Sequence, residues 1–249
     1  MHADFSDTDS RPGRFETTHW SLVLASQSQE SSSADQRFAA LSQLCRIYWR
    51  PLYVYLRRCG HEAVDAEDLT QGFLGALLKR DAFDTVAQER GRFRSFLIAS
   101  LKNYLSHHRE KEGAQKRGGG KWHLSLSDPR IEAALQSELM DSASPELAYE
   151  KRWAMTLLDR VRSRLRGEYL AGGKEGYGDE LMPFLPGGHA TRSQGDIAAA
   201  LGISVSAVKS EVYRLRQRFG QYLRAEVANT VSDPSEIDGE LEYLIQVLR

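Results

Sequence analysis

Apolar residues recur along the chain at helical rather than alternating spacing. In "FAALSQLCRIYWRPLYVYLRRCG" a stripe runs through Leu41, Leu44, Tyr48, Leu52 and Leu56, three or four residues apart, as one face of an α-helix requires. Pro51 falls inside that stripe and is a candidate kink. "VDAEDLTQGFLGALLKR" repeats the pattern through Ala66, Leu69, Phe73, Ala76 and Leu77. Asp65 is placed to cap this helix, with Asp68 three residues on in the manner of a capping box. A third stripe, Phe93, Phe96, Leu97, Leu101, Tyr104 and Leu105, runs through "GRFRSFLIASLKNYLSHHREK".

The pattern then breaks. "EGAQKRGGGKWHLSLSDP" is rich in Gly and Lys and reads as linker, with a weak helix, "RIEAALQSELM", inside the connection. "SPELAYEKRWAMTLLDRVRSRL" opens a strong helix, with Ser144 as cap and Pro145 at its first position. The Gly/Pro-rich stretch "RGEYLAGGKEGYGDELMPFLPGGHATR" follows and reads as an insertion. The last segment, "SDPSEIDGELEYLIQVLR", predicts a short acidic helix with Ile237, Leu241, Leu244, Ile245 and Leu248 along one side, a helix that needs a surface to dock on.

No strand-like alternation persists, so the fold class is all-α. Two helical modules are expected, residues 37–112 and 145–224, joined by a flexible linker at 113–144. A 36-residue N-terminal extension precedes them and an acidic tail helix, 225–249, follows.

Between the linker and the tail, "DIAAALGISVSAVKSEVYRLRQRF" has the layout of a helix–turn–helix. Ile197, Ala198 and Leu201 face inward from a first helix, and Gly202 suits the left-handed turn. Ile203 plugs the corner and Ser204 caps the second helix. Val205, Val208, Val212, Leu215 and Phe219 form its buried face. At 100° per residue, Ser206, Ala207, Ser210 and Arg214 point the opposite way, flanked by Lys209 and Tyr213. Small and basic side chains of this kind let a helix enter a DNA major groove. Arg216, Arg218 and Arg224 suit phosphates. A plain helical hairpin would explain the apolar stripe but not the small residues at the turn combined with a basic outer face.

Charge supports this reading through its distribution, not its total. The formal net charge of the 249 residues is −1. Yet residues 90–121 hold nine Lys/Arg against two Glu, and residues 205–224 hold five against one. The acids gather at the ends: six against one Arg in 225–249, and six against two Arg in the first 36 residues. Two separate phosphate-facing surfaces are one explanation, and solvated helix faces are the other.

Other classes are disfavoured. No apolar run approaches the ~18 residues of a membrane span. The polar start "MHADFSDTDSRPGRF" has no signal core, and two cysteines, Cys45 and Cys59, make neither a disulfide framework nor a zinc set. A reducing cytoplasm is therefore the expected compartment. In "GAQKRGGGK", Gly113 and Gly118 have phosphate-loop separation, but Gly119 and Gly120 stand where Lys and Ser/Thr should follow. No catalytic or metal motif appears, so neither enzyme activity nor a cofactor is expected. His107–His108 reads as a solvated or phosphate-facing pair.

The front of the chain adds a resemblance. Leu52, Tyr53, Tyr55, Arg57, Gly60, Asp65, Ala66, Glu67, Asp68, Leu69, Gln71, Phe73, Leu77 and Leu78 follow the "LY–Y–R–G–DAEDL–Q–F–LL" pattern of region two in bacterial sigma factors. These belong to the sigma-70 family, and the match is to its short extracytoplasmic-function type. "FRSFLIASLKNYLSHHR" is similar to the segment that melts and holds the minus-ten promoter element, and the helix–turn–helix to region four, which reads the minus-thirty-five element. "TTHWSLVL", "RGRFRSFL", "AQKRGGG" and the tail after "VANTV" resemble a subgroup with extended termini.

The resemblance implies a factor that binds core RNA polymerase and directs promoter recognition and melting. Asp65, Asp68, Leu69, Gln71 and Phe73 would dock on the beta-prime clamp helices, and the rear module would meet the beta flap. Arg92, Phe93, Arg94, Lys102, Asn103, His107 and Arg109 would lie on or beside the surface that captures the non-template strand. The pocket for an unstacked base would fall in "RDAFDTVAQERG". Ser206, Ala207, Lys209, Ser210, Tyr213 and Arg214 would read the upstream element. Promoter DNA and core polymerase are the implied partners, with an anti-sigma protein as a further one; no membrane is involved.

Three features depart from the family: "SLKN" stands where an "ARN"-like segment is usual, residues 166–192 are longer than the usual connection, and the tail after Arg224 is extra. Asp65, Glu67 and Asp68 are also what any helix N-terminus favours through its macrodipole. A free-standing helix–turn–helix regulator, binding duplex DNA without polymerase, is the alternative.

Overall fold

The computed structural model describes residues 34–77, 92–114, 144–231 and 233–249. Most of the N-terminal extension, the loop expected to hold the base pocket, and nearly all of the 113–144 linker with its weak helix lie outside the described residues. Among the described residues the protein is all-α, with no strands.

Helix α1 spans Ala34–Arg58, α2 Ala63–Leu77 and α3 Phe93–Ala114. Helix α1 runs unbroken through Pro51. Leu44, Tyr48, Leu52 and Leu56 are buried as the stripe predicts, but so are Ile47, Tyr53, Val54 and Tyr55. A helix apolar on most sides must be covered on most sides. Here α2 packs on one flank of α1 and the long helix α4, Pro145–Ala171, on another.

Helix α2 begins three residues earlier than expected, so Asp65 sits in its first turn and is not the cap. Its buried residues are Ala66, Thr70, Phe73, Leu74 and Leu77; Leu69 and Ala76 are only half-buried. The Thr70 hydroxyl donates to the Ala66 carbonyl at 2.6 Å, which satisfies it inside the core.

Helix α4 is the spine. Ser144 caps it by accepting the Leu147 N–H, with Pro145 at the first position, as its sequence predicts. Its first half contributes Ala148, Tyr149, Trp153, Ala154 and Leu157 to the same apolar cluster as α1–α3. Its second half contributes Val161, Leu165 and Tyr169 to a second cluster. One continuous helix therefore serves both cores.

The stretch read as a Gly/Pro-rich insertion is instead structured. Helix α4 continues to Ala171, and α5 spans Glu175–Leu181; a 3-10 turn, Met182–Phe184, follows. Leu181, Met182 and Leu185 are buried in the second cluster. Arg162 ties the segment down by donating to the Met182 and Pro186 carbonyls at 3.3 and 3.2 Å.

Helix α6 spans Gln194–Leu201, α7 Val205–Ala228 and α8 Ile237–Val247. The tail helix packs on α4 and α7. Its buried residues are Glu240, Leu244 and Val247, whereas Ile245 and Leu248, expected inside, are exposed. The stripe is rotated so that a carboxylate, not an isoleucine, points inward.

Leu181→Ala is expected to destabilise the protein by about 2–5 kcal/mol, the cost of truncating a fully buried leucine. A loop residue would cost under about 0.5 kcal/mol. Equilibrium urea unfolding distinguishes the two.

Candidate nucleic-acid interface

The rear site is built by three local devices. Ser193 and Asp196 form a reciprocal capping box at the start of α6. The Asp196 N–H donates to Ser193 Oγ at 3.2 Å, and the Ser193 N–H donates to Asp196 Oδ2 at 3.2 Å. The Ser193 hydroxyl, then its N–H, hold the Asp196 carboxyl below its ordinary pKa. The helix thus starts at Gln194, ahead of the expected Asp196, and "S-x-x-D" is the sequence signal of its cap.

Next comes the turn. Gly202 takes φ 66° and ψ 31°, the left-handed region that a side chain would strain. Its N–H donates to Ala199 at 3.4 Å, and the Ile203 N–H to Ala198 at 3.0 Å, which closes a Schellman motif. Ser204 then accepts the Ala207 N–H at 3.1 Å and starts α7.

Val208, Val212, Leu215 and Phe219 are buried, which fixes the rotation of α7. Val205, at the first position of α7, is the exception and is exposed. Opposite the buried face, Ser206, Lys209, Ser210, Tyr213 and Arg214 all face solvent, with Ala207 half-buried. Arg214 pairs only with Glu211 of its own helix, at 2.8 Å. Such a surface pair is worth about 0–1 kcal/mol and yields readily to a stronger anion.

The three arginines expected to suit phosphates are engaged within the chain. Arg216 donates to the Phe184 carbonyl at 3.2 and 3.3 Å. Arg218 donates to Glu168 at 3.1 Å and to the Tyr169 hydroxyl at 3.0 Å. Arg224 pairs with Asp238 of the tail helix. Each meets a partner supplied by a segment that the sequence reading treated as an addition.

The front site divides. Asp65, Asp68, Leu69 and Gln71 line a groove of about 520 Å³ between α2 and α3, together with His61, Tyr104, His108 and Arg109. Gly72 lets the two helices approach: a Cβ there would sit 2.5 Å from the Tyr104 hydroxyl oxygen. Phe73, grouped with the docking residues, is core instead and meets the edge of Tyr104 at 5.7 Å between centroids. Lys102, Asn103, His107 and Arg109 lie exposed along α3. Lys102 donates to Glu146 of α4 at 2.8 Å, which holds the Glu146 carboxyl below its ordinary pKa.

Arg92, Phe93 and Arg94 occupy a different environment from the rest of the expected strand surface. Phe93 is fully buried, and its N–H donates to the Thr230 carbonyl at 3.0 Å. Arg94 is 1% exposed and Glu240 of α8 is 0% exposed; the two form an ion pair. Arg94 pairs also with Glu150 of α4, and Arg92 pairs with Glu240 at 2.8 Å. The Arg94 guanidinium lies 4.6 Å from the Trp153 ring centroid and 4.5 Å from that of Tyr243, and its carbonyl accepts the Tyr149 hydroxyl at 3.1 Å.

In this structure Arg94 therefore cannot reach a nucleic-acid strand. Burial explains the departure from expectation: a guanidinium out of water needs carboxylates and aromatic faces around it, and α4 and α8 supply both. An acid at a helix position otherwise occupied by apolar residues, Glu240 between Ile237 and Leu244, was the available signal.

Among the described residues, no three His, Cys, Asp or Glu are grouped to hold a metal, and no helix is long and apolar enough to cross a membrane. No family model, curated protein or solved structure matches the chain.

Glu240→Ala leaves two arginines at the cluster without their shared carboxylate. We expect a loss of about 3–5 kcal/mol in chemical unfolding, the range for breaking a buried pair. A loss below about 1 kcal/mol would mean that the tail is only loosely attached.

Proposed function

We propose that this protein is a sigma-type transcription initiation factor of the sigma-70 family, similar to its extracytoplasmic-function members. It binds core RNA polymerase, directs it to one promoter class and leaves the chemistry to the polymerase. The observation that carries this reading is the outward face of α7. A Schellman turn and a buried valine stripe hold four small or basic side chains, Ser206, Lys209, Ser210 and Arg214, in solvent beside the exposed Tyr213. That geometry suits insertion into a major groove.

In this reading the α2–α3 groove, with Asp65, Asp68, Leu69 and Gln71, faces the beta-prime clamp helices of the polymerase. The rear module, α4–α7, meets the beta flap and the minus-thirty-five element. Lys102, Asn103, His107 and Arg109 follow the melted minus-ten strand. The chain acts as two modules in the cytoplasm, and an anti-sigma protein is a natural antagonist. Arg94 is a structural residue in the state described, so the strand surface is carried by the exposed positions of α3.

A free-standing regulator is the second reading. The extensive packing of α4 on α1 favours it, since a single shared spine leaves little freedom for the front and rear to reach separate elements.

Capture by purified core polymerase separates the two readings. Wild type is expected to co-purify with core, and Asp68→Ala/Gln71→Ala to lose at least tenfold in capture while keeping its circular dichroism spectrum. Tight binding of duplex DNA by the protein alone, with no capture by core, would establish the regulator instead. Arg214→Ala is expected to cost about 1–3 kcal/mol in selection of the upstream element. Promoter-competition assays read that cost, and capture by core should not change.

A further inference from the structure

Outside both surfaces lies a third feature. A groove of about 500 Å³ opens between α1, α4 and the end of α7. Arg46 and Arg50 reach it from α1, and Arg160 and Arg164 from α4; Asp159 and Glu226 are the acids in its lining. Four arginines against two carboxylates leave a net of +2. None of these arginines belongs to the two basic tracts of the sequence, and the function proposed above uses none of them.

The charges are unevenly settled. Arg160 takes Glu226 for itself through a bidentate pair, at 3.0 and 3.3 Å. Arg164 lies over the Tyr222 ring, 3.9 Å from its centroid, and makes a long surface pair with Glu168 at 3.9 Å. Among the described residues, no carboxylate lies within ion-pair distance of Arg46 or Arg50. The Arg50 Nε is buried with no hydrogen-bond acceptor. Behind them Arg152 is 5% exposed, and its pKa is pushed down to about 10, first by burial and then by the positive charge of Arg50.

Like charges gathered at a partly buried seam oppose folding, and local conflicts of this kind are expected at binding sites. A multivalent anion would relieve the conflict. Planar guanidinium forks from two helices match phosphate oxygens better than they match a single carboxylate.

We propose that the α1–α4 groove is a binding site for a phosphate-bearing anion, with Arg46, Arg50 and Arg164 as its direct contacts. The anion bridges α1 to α4, the two helices that join the front core to the spine. Binding therefore stiffens that joint. The site is independent of whether the chain is a sigma-type factor or a regulator.

The test uses the full chain, with ionic strength held constant by NaCl. Sodium tripolyphosphate and a short single-stranded oligonucleotide are the two probes, read by thermal unfolding and by calorimetric titration. Tripolyphosphate is expected to raise the melting temperature of the wild type by a few degrees. Arg46→Gln, a change at an exposed side chain, should weaken its binding about tenfold or more. Arg46→Gln/Arg50→Gln should abolish the shift. Arg166→Gln, which removes the same charge elsewhere on α4, should keep it. If only the oligonucleotide gives the Arg46- and Arg50-dependent shift, the phosphates belong to a nucleic-acid backbone, and the site stands. Shifts equal in wild type and double variant, or matched by NaCl alone, would overturn the proposal.

Discussion

The buried carboxylate of Glu240 is the constraint on which the two ends of this fold depend. It sits without solvent exposure between Arg92 and Arg94. A charge in that position is costly unless its partners are also in place. Those partners begin α3, while Glu150, Trp153 and Tyr149, which complete the setting of Arg94, belong to α4. The carboxylate itself comes from the last helix of the chain. The cluster is therefore satisfied only when three elements, nearly 150 residues apart in sequence at the extremes, have docked. The N–H of Phe93, bonded to the carbonyl of Thr230, ties the same turn to the segment that leads into the tail.

One consequence is a sorting of the basic residues. Composition presents them as two tracts of similar character. The fold gives them different tasks. Arg92, Arg94, Arg218 and Arg224 face carboxylates of this chain, and Arg216 faces a carbonyl. Lys209 and Arg109 lie on open helix faces, and Arg214 and Lys102 make surface pairs with Glu211 and Glu146. Among the described residues of the tracts, this second group is placed to meet nucleic acid by giving up no more than a surface pair. The near-neutral total is thus no argument against a nucleic-acid partner, since many of the acids are consumed by internal arginines.

The helical periodicity of α2, α3 and α7 was legible because each buries one face against a neighbour, and burial imposes a 3.6-residue repeat on the sequence. The turn at Gly202 and the cap at Ser204 were legible because so few residues suit those backbone positions. What escaped reading was tertiary. Glycines and prolines in "GGKEGYGDELMPFLPGG" read as an insertion, but Leu181, Met182 and Leu185 are anchored by a core contributed from elsewhere. Arg94 looked like a surface cation because nothing local reveals a glutamate 146 positions downstream. Phe73 was grouped with its half-buried neighbours Asp68 and Gln71, although its own spacing from Ala66 and Leu77 marks it as core. In the tail, the apolar count was right and the rotation wrong, because the inward position is an acid.

The outward face of α7 is exposed, and the buried stripe beneath it fixes its rotation. The central claim is that this face works as part of a polymerase holoenzyme. The most direct measurement is single-round transcription in vitro from sheared genomic DNA of the source organism, with purified core polymerase and this protein, followed by mapping of transcript 5′ ends. The account predicts discrete starts that appear only when both are present, each preceded by a shared pair of upstream elements. Starts that do not depend on the protein, or none at all under conditions where it binds duplex DNA alone, would contradict it.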